Sequence, residues 1–122
     1  MISTVLVTGP TAAARENAIA AVLSPGQPTA VILEGMADGN SRLVYDESEP
    51  TAWQPQVHRI APGCLCCAGN LVLRVTLNRL LRRPPAQLFI SLADATHVDS
   101  LRAMLASAPY DALLRLEPVL NA

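Results

Sequence analysis

All three cysteines of the 122-residue chain lie within four consecutive positions, as Cys64, Cys66 and Cys67 of the sequence Gly-Cys-Leu-Cys-Cys. Thiolates bind soft metals such as zinc and copper(I), and clustered cysteines in a reducing compartment are typical of metal-binding or redox-active segments. A helix predicted from about Asn70 would favour the thiolate form through its N-terminus. The pattern predicts a soft-metal site, and three small buried apolar side chains are the structural alternative.

The fourth ligand of such a site is less evident. Zinc prefers four tetrahedral ligands, whereas copper(I) accepts fewer thiolates. His58, six residues before Cys64, completes the candidate metal set, although a lone histidine is more often structural. Cys66 and Cys67 are adjacent, so their side chains point in different directions and both reach one ion only in an irregular loop. Cys64 together with one of these two cysteines is therefore the better-supported pair of ligands. His97 and Glu34 follow or end predicted strands and are weaker candidates, and helix capping or solvation would explain Glu34 equally well.

The composition describes one small domain, 1–122, with 51% apolar but only 3% aromatic residues. The formal net charge of -1 gives no indication of a nucleic-acid surface. No stretch approaches the roughly 20 apolar residues of a membrane span, and the first residues lack the basic leader of a signal peptide. We therefore expect a cytoplasmic protein that binds neither nucleic acid nor membrane, with reduced thiols.

The order of the remaining patterns predicts a three-layer α/β domain with a mostly parallel sheet. The predicted strands are 3–8, 29–33, 57–60, 88–92 and 112–116. The predicted helices are 12–23, 70–83 and 98–108, with Ile19, Val22 and Leu23 on the inner face of the first. Residues 35–55 are predicted to be a long polar loop, with 43–45 as a possible short edge strand.

The segment 70–83 fits two patterns. Leu71, Leu73, Val75 and Leu77 alternate with polar residues, which taken alone indicates a strand. Leucines at 73, 77, 80 and 81 instead form a helical stripe, Asn70 can cap its start, and two arginines suit its end. The length of the segment also favours a helix.

A strand that ends in glycine and leads into a helix, followed by Gly-Cys-Leu-Cys-Cys at a strand-to-helix junction, resembles the CobW-type P-loop GTPases. The resemblance covers roughly the whole chain, but only the first part of a typical family member. It implies a P-loop NTPase-like fold, here a partial G domain, with the cysteine motif close to the nucleotide site. The family is implicated in the delivery of metals, including zinc and cobalt. The implied mechanism couples metal held by the cysteines to GTP binding and hydrolysis.

The phosphate loop departs from the family pattern Gly-x-x-x-x-Gly-Lys-Ser/Thr. Gly9 matches the first glycine, and Thr11 lies within the loop. Ala14 stands for the second glycine, Arg15 for the lysine and Glu16 for the magnesium-binding hydroxyl. Gly9, Thr11 and Arg15 are thus the residues of a degenerate cofactor site, and we expect no ordinary GTP binding there. Arg15 and Glu16 are expected to form an exposed first helical turn.

Two further parts of a GTPase are missing. The region after the fourth strand reads Ile-Ser-Leu-Ala-Asp-Ala, with Asp94 as a displaced candidate for the acidic residue that senses magnesium. The guanine-reading Asn-Lys-x-Asp motif cannot exist in this chain, because it contains no lysine. The resemblance therefore implies a relative without GTPase turnover.

The leading hypothesis is a nonenzymatic metal-handling or regulatory module that binds zinc, with copper(I) or cobalt as alternatives. Its partners would be the metal ion and a GTPase relative or metal-receiving protein. One alternative is a protein-interaction scaffold, for example a homodimer, without metal function. The other is a nucleotide-binding protein with an unorthodox phosphate loop.

Overall fold

The computed structural model describes residues 2–23, 27–34, 56–60, 71–92 and 98–122. Six strands are present in these ranges: β1 (Ile2–Thr8), β2 (Thr29–Glu34), β3 (Gln56–Ile60), β4 (Gln87–Ser91), β5 (Leu114–Leu116) and β6 (Leu120–Asn121). The helices are α1 (Ala12–Val22), α2 (Leu71–Leu80) and α3 (Val98–Leu105), with a short 3₁₀ helix at Tyr110–Ala112. No helix in the described ranges is long and apolar enough to cross a membrane.

The strands form one parallel sheet in the order β3-β2-β4-β1-β5, and β6 continues the outer edge of β1. Every residue of β2 is buried, as a strand covered on both faces requires. The predicted α/β fold with a mostly parallel sheet is therefore confirmed.

Helices cover both faces of the sheet, so the described elements form three layers. One apolar cluster joins Ile19 of α1 to Val7, Val31, Leu33 and Phe89 of the strands. A larger cluster on the opposite face joins α2 and α3 to the alternate strand residues. Strand side chains alternate between the faces, so neighbouring residues of one strand contact different helices.

The segment 71–80 is a helix, and the alternative of a strand is wrong. Leu73, Leu77 and Leu80 are buried in the larger core cluster. Val75, which an alternating strand would bury on the same side as Leu77, is 44% exposed. Positions three and four residues apart share one helical face, and this spacing decides the packing.

The end of the chain differs from the prediction of one strand at 112–116. Tyr110–Ala112 is a 3₁₀ helix whose Tyr110 is buried in the core, and β5 begins only at Leu114. Pairing of β1 then shifts: Thr4 lies opposite Leu116, but Val7 lies opposite Leu120. One extra residue is thus accommodated between β5 and β6, beside Pro118, which has no N–H for a sheet ladder.

Some predictions fall outside the described residues. They concern the polar loop 35–55 with its edge strand at 43–45, and the cap at Asn70. The structure does describe the residues predicted to form the inner face of α1. Ile19 is buried there, whereas Val22 is 46% exposed, so its predicted inward position is wrong. At 100° per residue, Val22 lies about 80° from the centre of the face that carries Ile19 and Leu23.

Leu77→Ala is expected to lower the free energy of unfolding by about 2–5 kcal/mol, because it leaves a cavity in the core. Val75→Ala on the same helix is expected to change it by less than about 0.5 kcal/mol, because Val75 is largely exposed. Urea unfolding of the two variants measures both values. Equal losses would contradict the helical packing of α2.

Candidate functional site

The carboxyl ends of four strands meet at one edge of the sheet. Ser91 of β4 lies in register between Val7 of β1 and Leu33 of β2, and Glu34 of β2 lies opposite Ile60 of β3. Ligand sites of parallel α/β folds are found at this edge. The cysteine motif begins at Gly63, three residues after the end of β3, and α2 begins four residues after Cys67, at position 71.

Arg15 is buried at this edge, only 4% exposed, so the expected exposed helical turn is wrong. Its Nε donates to Ser91 Oγ at 2.9 Å, and its Nη1 donates to the carbonyl oxygen of Gly9 at 2.9 Å. A longer contact of 3.5 Å joins Nη2 to the carbonyl oxygen of Glu34. One guanidinium therefore connects the carboxyl ends of β1, β4 and β2, because its planar fork presents several donors at once.

The loop that corresponds to a phosphate loop is occupied by the protein's own atoms. The hydroxyl of Thr11 accepts the N–H of Ala14 at 3.0 Å and caps α1. A Cβ on Gly9 would lie 2.7 Å from Cβ of Ala122 and 3.0 Å from Cγ of Arg15. The cationic group and an N–H of the first turn are thus both engaged internally, and the space beside Gly9 is filled. A phosphate would have to displace these contacts.

Glu16 is also buried, against the prediction that it is exposed. Its carboxylate accepts two hydrogen bonds from Arg59 of β3, at 2.7 and 3.3 Å. The side chain of Arg59 is 26% exposed, so this ion pair lies at the border of the core. Two parallel N–H donors on one carboxylate are a strong and directional arrangement. Through Glu16, α1 is tied to a fourth strand.

The charges around Arg15 oppose the cost of burying it. Burial lowers the pKa of the Arg15 guanidinium, and the negative charges of Glu34 and Glu16 raise it again in part. Arginine remains protonated under ordinary conditions, so Arg15 is a buried cation with nearby carboxylates. Glu34 itself is buried, so solvation does not explain it.

A helical pattern could have identified this arrangement. Ile19 is the buried centre of α1, and residues three and four positions before it share its face. Those residues are Glu16 and Arg15. No such pattern identifies Ser91 or Arg59, since their approach to α1 depends on strand order and register.

His58 lies on the other face of the sheet, opposite Ile32 of β2. Its Nε2 is buried and has no hydrogen-bond partner within the described part of the chain. Burial lowers the pKa of the imidazole, and the positive charge of Arg79 lowers it further. The neutral form that results is the one that binds metals. The same Arg79 charge, however, opposes a metal cation at Nε2.

Several candidate residues lie outside the described residues, namely Cys64, Cys66, Cys67, Asp94 and His97. Within the described ranges, no group of three or more histidine, cysteine and acidic side chains could hold a metal ion. The structure thus brings together Gly9, Thr11 and Arg15, and places His58 on a separate face. Metal ligation by the cysteines stays a prediction.

Arg15→Lys is expected to lower the free energy of unfolding by about 1–3 kcal/mol, because an ammonium cannot reproduce the forked contacts of a buried guanidinium. Arg115→Lys is a matched control, since Arg115 forms an exposed ion pair with Glu117 at 2.8 Å. Its loss should stay within about 0.5 kcal/mol. Urea unfolding compares the two, and an equally small loss for both would contradict a structural role for Arg15.

His58 is expected to make the metal-free protein less stable as the pH falls below about 6.5, the ordinary pKa of histidine. Because its pKa is lowered in the folded state, the unfolded chain binds the proton first, and stability falls until the folded pKa is reached. His58→Gln removes this dependence. Urea unfolding across this pH range should give a flatter profile for the variant, and identical profiles would contradict the shift.

Comparisons of the chain with family models, with curated proteins and with solved structures find no match. The fold is α/β with a parallel sheet, loosely compatible with a P-loop-like arrangement. The CobW resemblance therefore remains one of motif and order.

Proposed function

We propose that this protein binds a soft metal ion through Cys64, Cys66 and Cys67 and does not turn over nucleotide. The observation that carries the proposal is the position of the motif in the chain. Cys64 comes four residues after Ile60, the last residue of β3, which lies opposite Glu34 at the carboxyl edge of the sheet. The three thiols belong to the segment that connects this edge of the sheet to α2. In α/β folds, ligands are commonly bound by segments that follow the carboxyl ends of strands.

The beginning of α2 supports thiolate chemistry. This helix starts at position 71, four residues after Cys67, and its first residues have no acidic side chain. The positive end of the helix dipole is therefore not neutralised by its own first turn. A nearby thiol has its pKa lowered by such a helix end, which favours the metal-binding form. Zinc suits these donors, with copper(I) or cobalt as alternatives.

The state of the phosphate loop argues against the alternative of a nucleotide-binding protein. In a phosphate loop, free N–H groups and a mobile lysine receive the anion. Here Arg15 donates to Gly9 and Ser91, and Ala14 donates to Thr11. Glu16 adds a buried carboxylate close by. Binding a triphosphate would require breaking the Arg15 contacts and holding like charges together.

A metal module without nucleotide turnover would act by holding or passing on its ion. Within the CobW hypothesis, its partner would be a GTPase relative or a metal-receiving protein. The scaffold alternative remains open as a second hypothesis, since β3 is the terminal strand of the described sheet and a terminal strand can pair with another chain.

Zinc is expected to bind the reduced protein with a dissociation constant below about micromolar, as structural thiolate sites do. Cys64→Ala should weaken this affinity on the order of a hundredfold, because it removes a charged ligand. Competition with a chromophoric chelator under reducing conditions measures both affinities. Leu65→Ala is the matched control, because it alters the motif and keeps all three thiols.

The proposal fails if the reduced protein binds no zinc or copper(I), or if Cys64→Ala leaves the affinity unchanged. His58→Ala in the same assay decides whether this imidazole is the fourth ligand. GTP with magnesium, titrated calorimetrically to millimolar concentration, should produce no binding heat. Saturable heat would revive the nucleotide alternative.

A further inference from the structure

A groove of about 580 Å³ borders β3 and the neighbouring face of α2. The side chains that matter for its chemistry are Val57, His58, Ile60, Val75, Thr76 and Arg79. Its volume lies within the range of small-molecule sites, which are mostly apolar with a few polar groups that orient the ligand. Arg59, which binds Glu16 on the α1 face of the sheet, also borders the groove, so the groove adjoins the network around Arg15 at this one residue.

His58 supplies a buried polar atom without a partner. Among the described side chains, its Nε2 is the one buried nitrogen or oxygen for which no hydrogen bond is found. Buried polar atoms are nearly always satisfied in folded proteins, so an exception such as this one requires an explanation. Because His58 borders the groove, a molecule held there can satisfy this nitrogen.

Arg79 supplies the charge. It is exposed on α2, and no hydrogen bond or ion pair of its guanidinium is found in the described part of the chain. The second arginine at the groove, Arg59, differs because its guanidinium is held by Glu16. Among the described residues of the groove, Arg79 is therefore the one uncommitted cation. Arg79 and His58 border the same groove, and the positive charge of Arg79 contributes to the lowered pKa of His58.

We propose that this groove binds a small organic carboxylate, with the carboxylate on the Arg79 fork and the Nε2–H of His58, and the carbon body against Val57, Ile60 and Val75. One guanidinium matches the charge and planarity of one carboxylate. The 44% exposure of Val75 supplies apolar surface for the rest of the ligand. A cation at this place would be repelled by Arg79, and a phosphate dianion would find only one uncommitted positive charge among the described groove residues.

The inference does not depend on metal binding by the cysteines, so the two proposals can fail separately. If His58 were also a metal ligand, the metal and the carboxylate would compete for its Nε2. The experiment therefore uses metal-free reduced protein with a chelator present.

Isobutyrate is the probe, because it combines one carboxylate with a branched apolar body. Titrated into isotope-labelled protein, it should shift the imidazole NMR signals of His58 saturably in the millimolar range. The His58→Gln variant identifies those signals by their loss. Arg79→Gln should weaken binding about tenfold, because a charged hydrogen-bonding partner is lost. Arg74→Gln, which removes the same charge from an exposed position of the same helix, should leave the affinity unchanged.

Isobutanol and inorganic phosphate complete the test. Isobutanol should not produce the shift, because it lacks the charge, and phosphate should bind more weakly than isobutyrate. The proposal is overturned by an absence of saturation with isobutyrate or by equal affinities for the Arg79 and Arg74 variants. Tighter binding of phosphate overturns the assignment to carboxylates. Thermal unfolding of both exposed-arginine variants verifies that they remain folded.

Discussion

The buried charge of Arg15 is the constraint on which the carboxyl edge of this structure depends. A guanidinium beneath a helix must have hydrogen-bond acceptors, because an unpaired buried charge is very costly. Arg15 obtains them from Gly9 after β1, Ser91 in β4 and Glu34 in β2. The helix and the ends of three strands are therefore held in one arrangement by a single side chain.

The neighbouring Glu16 extends this arrangement to β3 through Arg59. Arg15 and Glu16, which are consecutive at the start of α1, thus connect four parallel strands. One of these strands, β3, precedes the cysteine motif in the chain. The Arg15 cation holds the protein's own oxygens, so the loop from Gly9 to Arg15 has a structural role in this fold.

The two faces of β3 carry different chemistry. Arg59 is directed to α1, where it neutralises a buried carboxylate, while His58 is directed to α2, where its Nε2 has no partner in the described residues and Arg79 is nearby. The alternation of side chains along a strand separates these environments although the residues are adjacent. A short strand can in this way present different side chains to the two layers that cover it.

The sequence by itself determined the fold class and the position of most elements. Uninterrupted apolar runs between helical patterns are sufficient for a parallel sheet, and the leucine spacing of α2 outweighed its local alternation. The burial of Arg15 and Glu16 was in principle readable from their spacing to Ile19. Their partners were not, because Ser91 and Arg59 are far from α1 in the chain and reach it only through strand order and register. The break between β5 and β6 and the groove at His58 likewise depend on which elements become neighbours. Local patterns specify which side chains face inward, and only the tertiary structure decides what each of them meets there.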